Sequence, residues 1–236
     1  MKKLSDHFQQ GCRIAAALTL ALTVSGLIAE EPEPSPPFQR VLFLGNSITK
    51  HGPKEKIGWS GNWGMAATSE ENDFVHLVAD ALSKKAGTPC ETMITNIAGF
   101  ESKYATYDLK SVLEEALAFA PDLIILAIGE NVPKLDSEEA GKLFTKRTAE
   151  FLKKLKSDDG PVILVRSCFW SNEAKDQALR EVCDEVGGIF VNIASLGADE
   201  SNYARSEREI PHKGVAAHPG DKGMQSIADA ILKALK

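Results

Sequence analysis

The residues of this chain best placed to do chemistry are Gly45, Asn46 and Ser47. Val41, Leu42, Phe43 and Leu44 form an apolar run that reads as a short buried strand, as expected where helices cover both faces of a sheet. Gly45 breaks the run and permits a tight turn. Ser47 then stands at the strand's carboxyl end, where open α/β sheets place their ligands. A hydroxyl held there serves as a nucleophile once a base and an oxyanion site come from elsewhere; otherwise Asn46 and Ser47 only shape a turn. His51, four residues on, is a competing base on the same element. The segment 50–72 is rich in glycine and carries Trp59, Asn62 and Trp63. A loop of this length is usually functional. Its tryptophans either stack on a sugar ring beside an asparagine or fill a core gap beneath the loop.

Other chemistries find no support. The five histidines show no metal-ligand spacing, so no metal is expected. Neither a phosphate-binding loop nor a dinucleotide fingerprint occurs, so no cofactor is expected either. Cys90, Cys168 and Cys183 follow no C-x-x-C pattern. Cys168 and Cys183 could bridge in an oxidising compartment, but buried free thiols are the expected state.

The elements that must position these residues alternate. After 41–44, apolar runs at 92–97, 123–128, 161–165 and 189–193 predict four further strands. Helical spacing predicts helices over 73–85, 112–119, 137–155, 173–186 and 219–235. Ser137 suits an N-cap, with Glu138 and Glu139 in the first turn. Strictly alternating strands and helices mean a parallel sheet covered on both sides: an α/β fold, a three-layer α/β/α sandwich around five strands. Right-handed crossovers then put Ser47, Gly99 and Asn131 along one edge.

At 236 residues, 43% hydrophobic and 25% charged, the chain has the composition of a globular protein with a sizeable core. Lys2, Lys3 and Arg13 precede an uncharged apolar run at 14–28. That is a signal-peptide pattern, too short for a comfortable membrane span. Residues 1–29 are therefore expected to leave, with cleavage after Ala29 or after Gly26, and the protein to be secreted or periplasmic. Residues 30–37 form a proline- and glutamate-rich spacer, and 38–236 the folded domain. Without Lys2, Lys3, Arg13 and Asp6, 24 basic residues face 32 acidic ones, a net charge of −8. Such a surface argues against nucleic acid or anionic lipid as the main partner, and a neutral substrate fits better.

Four small motifs stand in order: Gly45-Asn46-Ser47, a lone Gly99 after the second strand, Gly129-x-Asn131 after the third, and His218-Pro219 before the last helix. Together they resemble the SGNH (GDSL-like) hydrolase family, over essentially all of residues 40–236. The resemblance implies a flavodoxin-like sandwich and a carboxylic ester hydrolase working without a cofactor. Ser47 would attack an acyl carbonyl and His218 would take and return its proton. The backbone N–H groups of Ser47 and Gly99 and the amide of Asn131 would hold the oxyanion.

Two departures from the family pattern matter. Asn46 stands where aspartate is usual. Val215 stands three residues before the histidine, where the family places the acid of its triad. The imidazole is left with a backbone carbonyl of its own loop, giving a Ser–His dyad, or with a carboxylate from elsewhere, of which Glu130 is nearest by motif. The expected function is hydrolysis of O-acyl, above all O-acetyl, esters on carbohydrate, with Trp59, Asn62 and Trp63 as substrate contacts. The alternatives are an acyl hydrolase acting on lysophospholipids or thioesters, and a glycan-binding module without activity.

Overall fold

The computed structural model describes residues 38–156 and 160–236. The expected signal peptide and spacer at 1–37 lie outside the described residues. Five strands, β1 (Arg40–Gly45), β2 (Glu91–Asn96), β3 (Leu123–Ala127), β4 (Val162–Arg166) and β5 (Ile189–Val191), form one parallel sheet in the order β2-β1-β3-β4-β5. This is the expected α/β architecture.

Side-chain alternation along the strands builds the two cores. Leu42, Leu44, Ile124, Leu126, Ile163 and Val165 face one way. They pack on α3 (Lys110–Phe119), α4 (Glu138–Leu155) and α5 (Glu173–Glu185). Val41, Phe43, Leu123, Ile125 and Leu164 face the other way, onto α1 (Phe74–Ala86) and α8 (Asp221–Ala234). The central strand β3 is buried along its whole length, which is why it reads as an unbroken apolar run. Edge strand β2 is only partly buried and carries Glu91, Thr92, Thr95 and Asn96. Ser137 caps α4 by accepting from the N–H of Ala140.

The differences from expectation sit at the ends of elements. β5 stops at Val191, two residues early. Gly99 lies inside a short helix, α2 (Ala98–Lys103), rather than in a plain turn. The polar stretch 195–217 contains two one-turn helices, α6 (Ala204–Glu207) and α7 (Lys213–Ala216). Segment 50–72 is a folded flap, tied by antiparallel bridges between His51 and Trp63 and between Lys54 and Trp59. Cys90, Cys168 and Cys183 are free thiols, the latter two buried. Burial pushes the Cys183 thiol up to about 11. Among the described residues no helix is long and apolar enough to cross a membrane.

Strand order creates a reversal at β1, whose chain neighbours lie on opposite sides of it. Gly45 pairs in register with Asn96 on β2 and with Ala127 on β3. The segments leaving these three strands therefore emerge side by side at the carboxyl edge, the usual location of a ligand crevice.

Candidate active site

The turn after β1 is held from three directions. The Asn46 side chain accepts from the N–H of Ile48 at 3.1 Å. The carbonyl of Asn46 accepts from Thr49 N at 3.0 Å and Lys50 N at 2.9 Å. The Ser47 carbonyl accepts from Met65 N at 2.8 Å, so the flap braces the turn from outside. The Ser47 hydroxyl is left partly exposed at the mouth of a cavity.

His218 reaches it from the far end of the chain. Its Nε2 lies 2.8 Å from Ser47 Oγ, and its Nδ1 lies 2.7 Å from the carbonyl oxygen of Gly214. A carbonyl only accepts, so Nδ1 carries the proton and Nε2 keeps a lone pair facing the hydroxyl. Trp170 packs edge-on against the ring, centroids 5.2 Å apart at 90°, and donates its Nε1–H to the carbonyl of Ala217 at 3.2 Å. Burial holds the His218 pKa below the ordinary histidine value; the Gly214 carbonyl and the Glu130 charge oppose that shift in part.

Glu130 is not the partner of this imidazole. Its carboxylate is completely buried and bonds Arg166 Nη1 at 2.7 Å, Phe169 N at 2.9 Å and Asn46 Nδ2 at 2.7 Å. The expected acid is replaced by the other possibility, the main-chain oxygen in the histidine's own loop. His51 is not engaged with Ser47 either: its Nδ1 bonds the carbonyl of Gly52 at 2.6 Å.

Three N–H groups are left without an acceptor along this edge among the described residues. Neither Ser47 N–H nor Gly99 N–H has an acceptor among the described residues, and both follow strands that pair in register. Asn131 turns one amide hydrogen to Glu101 Oε2 at 2.8 Å and keeps the other. Asn131, Ala98, Ser47 and His218 all line one cavity of about 370 Å³. Two glycines make this packing possible. A Cβ on Gly99 would come within 2.7 Å of the Tyr107 ring, so it is the aromatic neighbour that leaves no room there. Gly129 adopts φ 124°, and a Cβ there would meet Cys168 Sγ at 2.4 Å.

Behind the donors lies a buried ionic cluster that the sequence reading missed. Glu101, on α2, accepts from Gly129 N at 2.6 Å, Asn131 N at 3.2 Å, Asn46 Nδ2 at 3.2 Å and Asn131 Nδ2 at 2.8 Å. Arg166, at the end of β4, also bonds the Ser167 carbonyl at 2.8 Å, while its Nε has no partner. Burial and then the neighbouring Glu130 raise the Glu101 pKa. Burial works against ionisation of Glu130 too, but the Arg166 charge and three hydrogen bonds outweigh it and lower its pKa. Asn46 donates to both carboxylates, which explains its departure from aspartate: a third acid here would have no cation to face. The legible signal was an arginine closing an otherwise apolar strand, because a buried charge requires a partner.

The flap tryptophans do not contact the cavity at Ser47. Trp59 and Trp63 pack edge to face, centroids 5.6 Å apart, over Met65, Ala66, Ala204 and Val215. Their Nε1–H groups bond the carbonyls of His51 at 2.8 Å and Ala67 at 3.1 Å. Both pack into the core beneath the flap, Trp59 at 8% exposure, and they also line a separate cleft with Ser60, Thr68 and Arg208. Asn62 is exposed on the flap and does not line the cavity. Asp221 is likewise structural, accepting from Thr68 N at 2.8 Å and Thr68 Oγ1 at 2.6 Å, which ties the flap to α8. Among the described residues no cluster of His, Cys, Asp and Glu has metal-binding geometry.

The fold has known counterparts. A lipase/acylhydrolase from Enterococcus faecalis superposes with a TM-score of 0.58 at 12% identity, covering 83% of this chain and 94% of its own. A lipase from a goat rumen metagenome gives 0.52 at 14% identity, over 84% and 100% of the two chains. An acetyl xylan esterase gives 0.52 at 18%, again over 84% and 100%. No family model and no curated protein matches the sequence. The likeness is one of fold.

Proposed function

We propose that this chain is a serine esterase of the SGNH type that removes short acyl groups, above all acetyl, from carbohydrate. The observation that carries this reading is the contact of Ser47 Oγ with His218 Nε2 at 2.8 Å, on an imidazole whose other nitrogen is committed to Gly214.

The chemistry follows from that geometry. His218 Nε2 takes the Ser47 proton as Oγ bonds to the ester carbonyl carbon. The carbonyl oxygen becomes an oxyanion facing the N–H groups of Ser47 and Gly99 and the second amide hydrogen of Asn131. As the tetrahedral centre collapses, the carbon–oxygen bond to the alcohol breaks and His218 returns the proton to that alcohol. Water, deprotonated by the same nitrogen, then cleaves the acyl-enzyme and frees Ser47. The imidazolium formed in each half-cycle is stabilised by a neutral carbonyl rather than a carboxylate. A triad enzyme deprived of its acid loses about 10⁴ in kcat; here the ring keeps the correct tautomer, so orientation is retained and only charge stabilisation is weaker.

The likeness in fold does not choose the substrate, because two of the three counterparts are named lipases and one an acetyl xylan esterase. The cavity supports the second. It is open to solvent and about 370 Å³ in volume, with Ile57, Met65, Ala98 and Val215 as an apolar wall facing the polar side chains of His51, Lys54, Asn96 and His212. The apolar leader at 1–29 supports export, which suits a substrate outside the cell.

The test is covalent. A fluorophosphonate should label the protein stoichiometrically on Ser47, and Ser47→Ala should abolish both labelling and hydrolysis of p-nitrophenyl acetate. Absence of labelling in the folded wild-type protein rules out the esterase. A clear preference for p-nitrophenyl octanoate over acetate rules out the short-acyl part alone.

A further inference from the structure

The cavity in front of Ser47 departs from the charge of the chain as a whole. The protein carries 33 acidic and 27 basic residues, yet no aspartate or glutamate lines this cavity, while His51, Lys54 and His212 do. Two of these three side chains bring a donor or a positive charge. His212 accepts the Val215 N–H on Nδ1 at 3.3 Å, so the neutral ring carries its proton on Nε2 as a donor. Lys54 is set by the flap: its N–H donates to the Trp59 carbonyl at 2.7 Å and its carbonyl accepts from Ile57 at 3.0 Å. No ion pair holds its ammonium among the described residues. His51 commits its Nδ1–H to the Gly52 carbonyl, so its neutral ring presents Nε2 as an acceptor. Asn96, the remaining polar side chain outside the catalytic set, has its oxygen bonded by Ala98 N at 2.9 Å and its nitrogen bonded to the Lys50 carbonyl at 2.7 Å.

The Lys54 ammonium and the His212 Nε2–H are both free, among the described residues, to receive an anion in a cavity that no carboxylate lines. An anionic group needs only donors and gains from a cation in a confined cleft. We infer that the acyl ester this site hydrolyses is carried on an anionic saccharide, whose carboxylate or sulfate is held by Lys54 and His212. This inference rests on the esterase reading and narrows its substrate. The net charge of the chain, which favours a neutral partner, is a property of the outer surface and not of this cavity.

The experiment uses three substrates on the full chain: p-nitrophenyl acetate, the di-O-acetyl methyl glycoside of galacturonic acid, and the methyl ester of that same uronide as a neutral isostere. Acetate release from the free acid should exceed that from its methyl ester by about tenfold in kcat/KM at low salt, mostly through KM. The ratio should fall toward one at 0.5 M salt, where screening extends over only a few ångströms. Lys54→Glu should invert the ratio; because both substrates are measured on one preparation, a loss of active protein cancels. An acetylated 6-sulfated glycoside set against its unsulfated parent tells which anion is taken, and preference for either supports the inference. Wild-type ratios near one for both the uronide and the sulfated pair, while p-nitrophenyl acetate is turned over, overturn the inference and leave the esterase standing. No turnover of any of the three overturns both.

Discussion

Glu101 is the residue through which the donor site can be broken without touching a donor. Its Oε1 accepts three N–H groups, from Gly129, Asn131 and Asn46, and its Oε2 accepts the side-chain amide of Asn131. All four neighbours donate, so these contacts require the carboxylate form. In Glu101→Gln the three contacts at Oε1 persist, but the fourth becomes two NH₂ groups facing each other across 2.8 Å. Asn131 must rotate its amide to restore a hydrogen bond, which turns oxygen toward Glu101's position and takes the free N–H out of its place at the cavity. Losing one oxyanion donor costs about 2.7–4 kcal/mol, or 10²–10³ in kcat. The substitution also removes a carboxylate whose ionisation burial disfavours, so the melting temperature should stay near that of the wild type while turnover collapses. The assay is steady-state hydrolysis of p-nitrophenyl acetate, with KM expected to change little, as for an interaction made only in the transition state. A double-mutant cycle with Asn131→Ala completes it: on that background Glu101→Gln should cost almost nothing further. Turnover of the single variant within threefold of wild type, or fully additive losses in the cycle, refutes the positioning role.

Three more outcomes follow from the same site. Arg166→Met leaves Glu101 and Glu130 buried with no cation, and should destabilise the fold by about 3–5 kcal/mol in urea titrations; a loss under 1 kcal/mol would show that the cluster is not ionised as drawn. Burial holds His218 below 6.5, so the acid limb of kcat/KM should have its midpoint under pH 6.5. The unfolded chain then binds the extra proton first, and the His218 contribution to stability should decline as pH falls from 6.5 toward the folded pKa. Gly129→Ala forces a side chain into φ 124° and against Cys168; strain of about 1–3 kcal/mol should appear in the melting curve together with reduced kcat.

The sandwich was legible because β1, β3 and β4 are buried on both faces and so read as unbroken apolar runs, with helical spacing between them. The order of Ser47, Gly99, Asn131 and His218 was legible because each follows a strand or opens a helix. The one-turn helices α6 and α7 were not, since four residues give no periodicity to detect. The flap tryptophans were ambiguous for a physical reason: an indole has one apolar body and one donor, and it can satisfy that donor on a sugar or on a carbonyl. Here Trp59 and Trp63 use the carbonyls of His51 and Ala67. Glu101 and Arg166 escaped because a lone charged residue in a sequence looks like surface until its partners, 29 to 65 positions away for this pair of charges around Glu130 and one another, are folded beside it.

Holding the imidazole by the main chain at Gly214 moves the site's vulnerability from chemistry to shape. Every amino acid carries a carbonyl, so no change of side-chain identity at position 214 can delete this acceptor; only a change in the path of the backbone can. The neighbouring positions that seat that backbone, His212 at the start of α7 and Val215 packed under the flap, therefore inherit the tolerance limits that an acid residue would ordinarily carry. Random mutagenesis of such a protein should find its inactivating changes clustered in a packing patch, Gly214 included, since a Cβ there would press on the His212 ring at 2.9 Å.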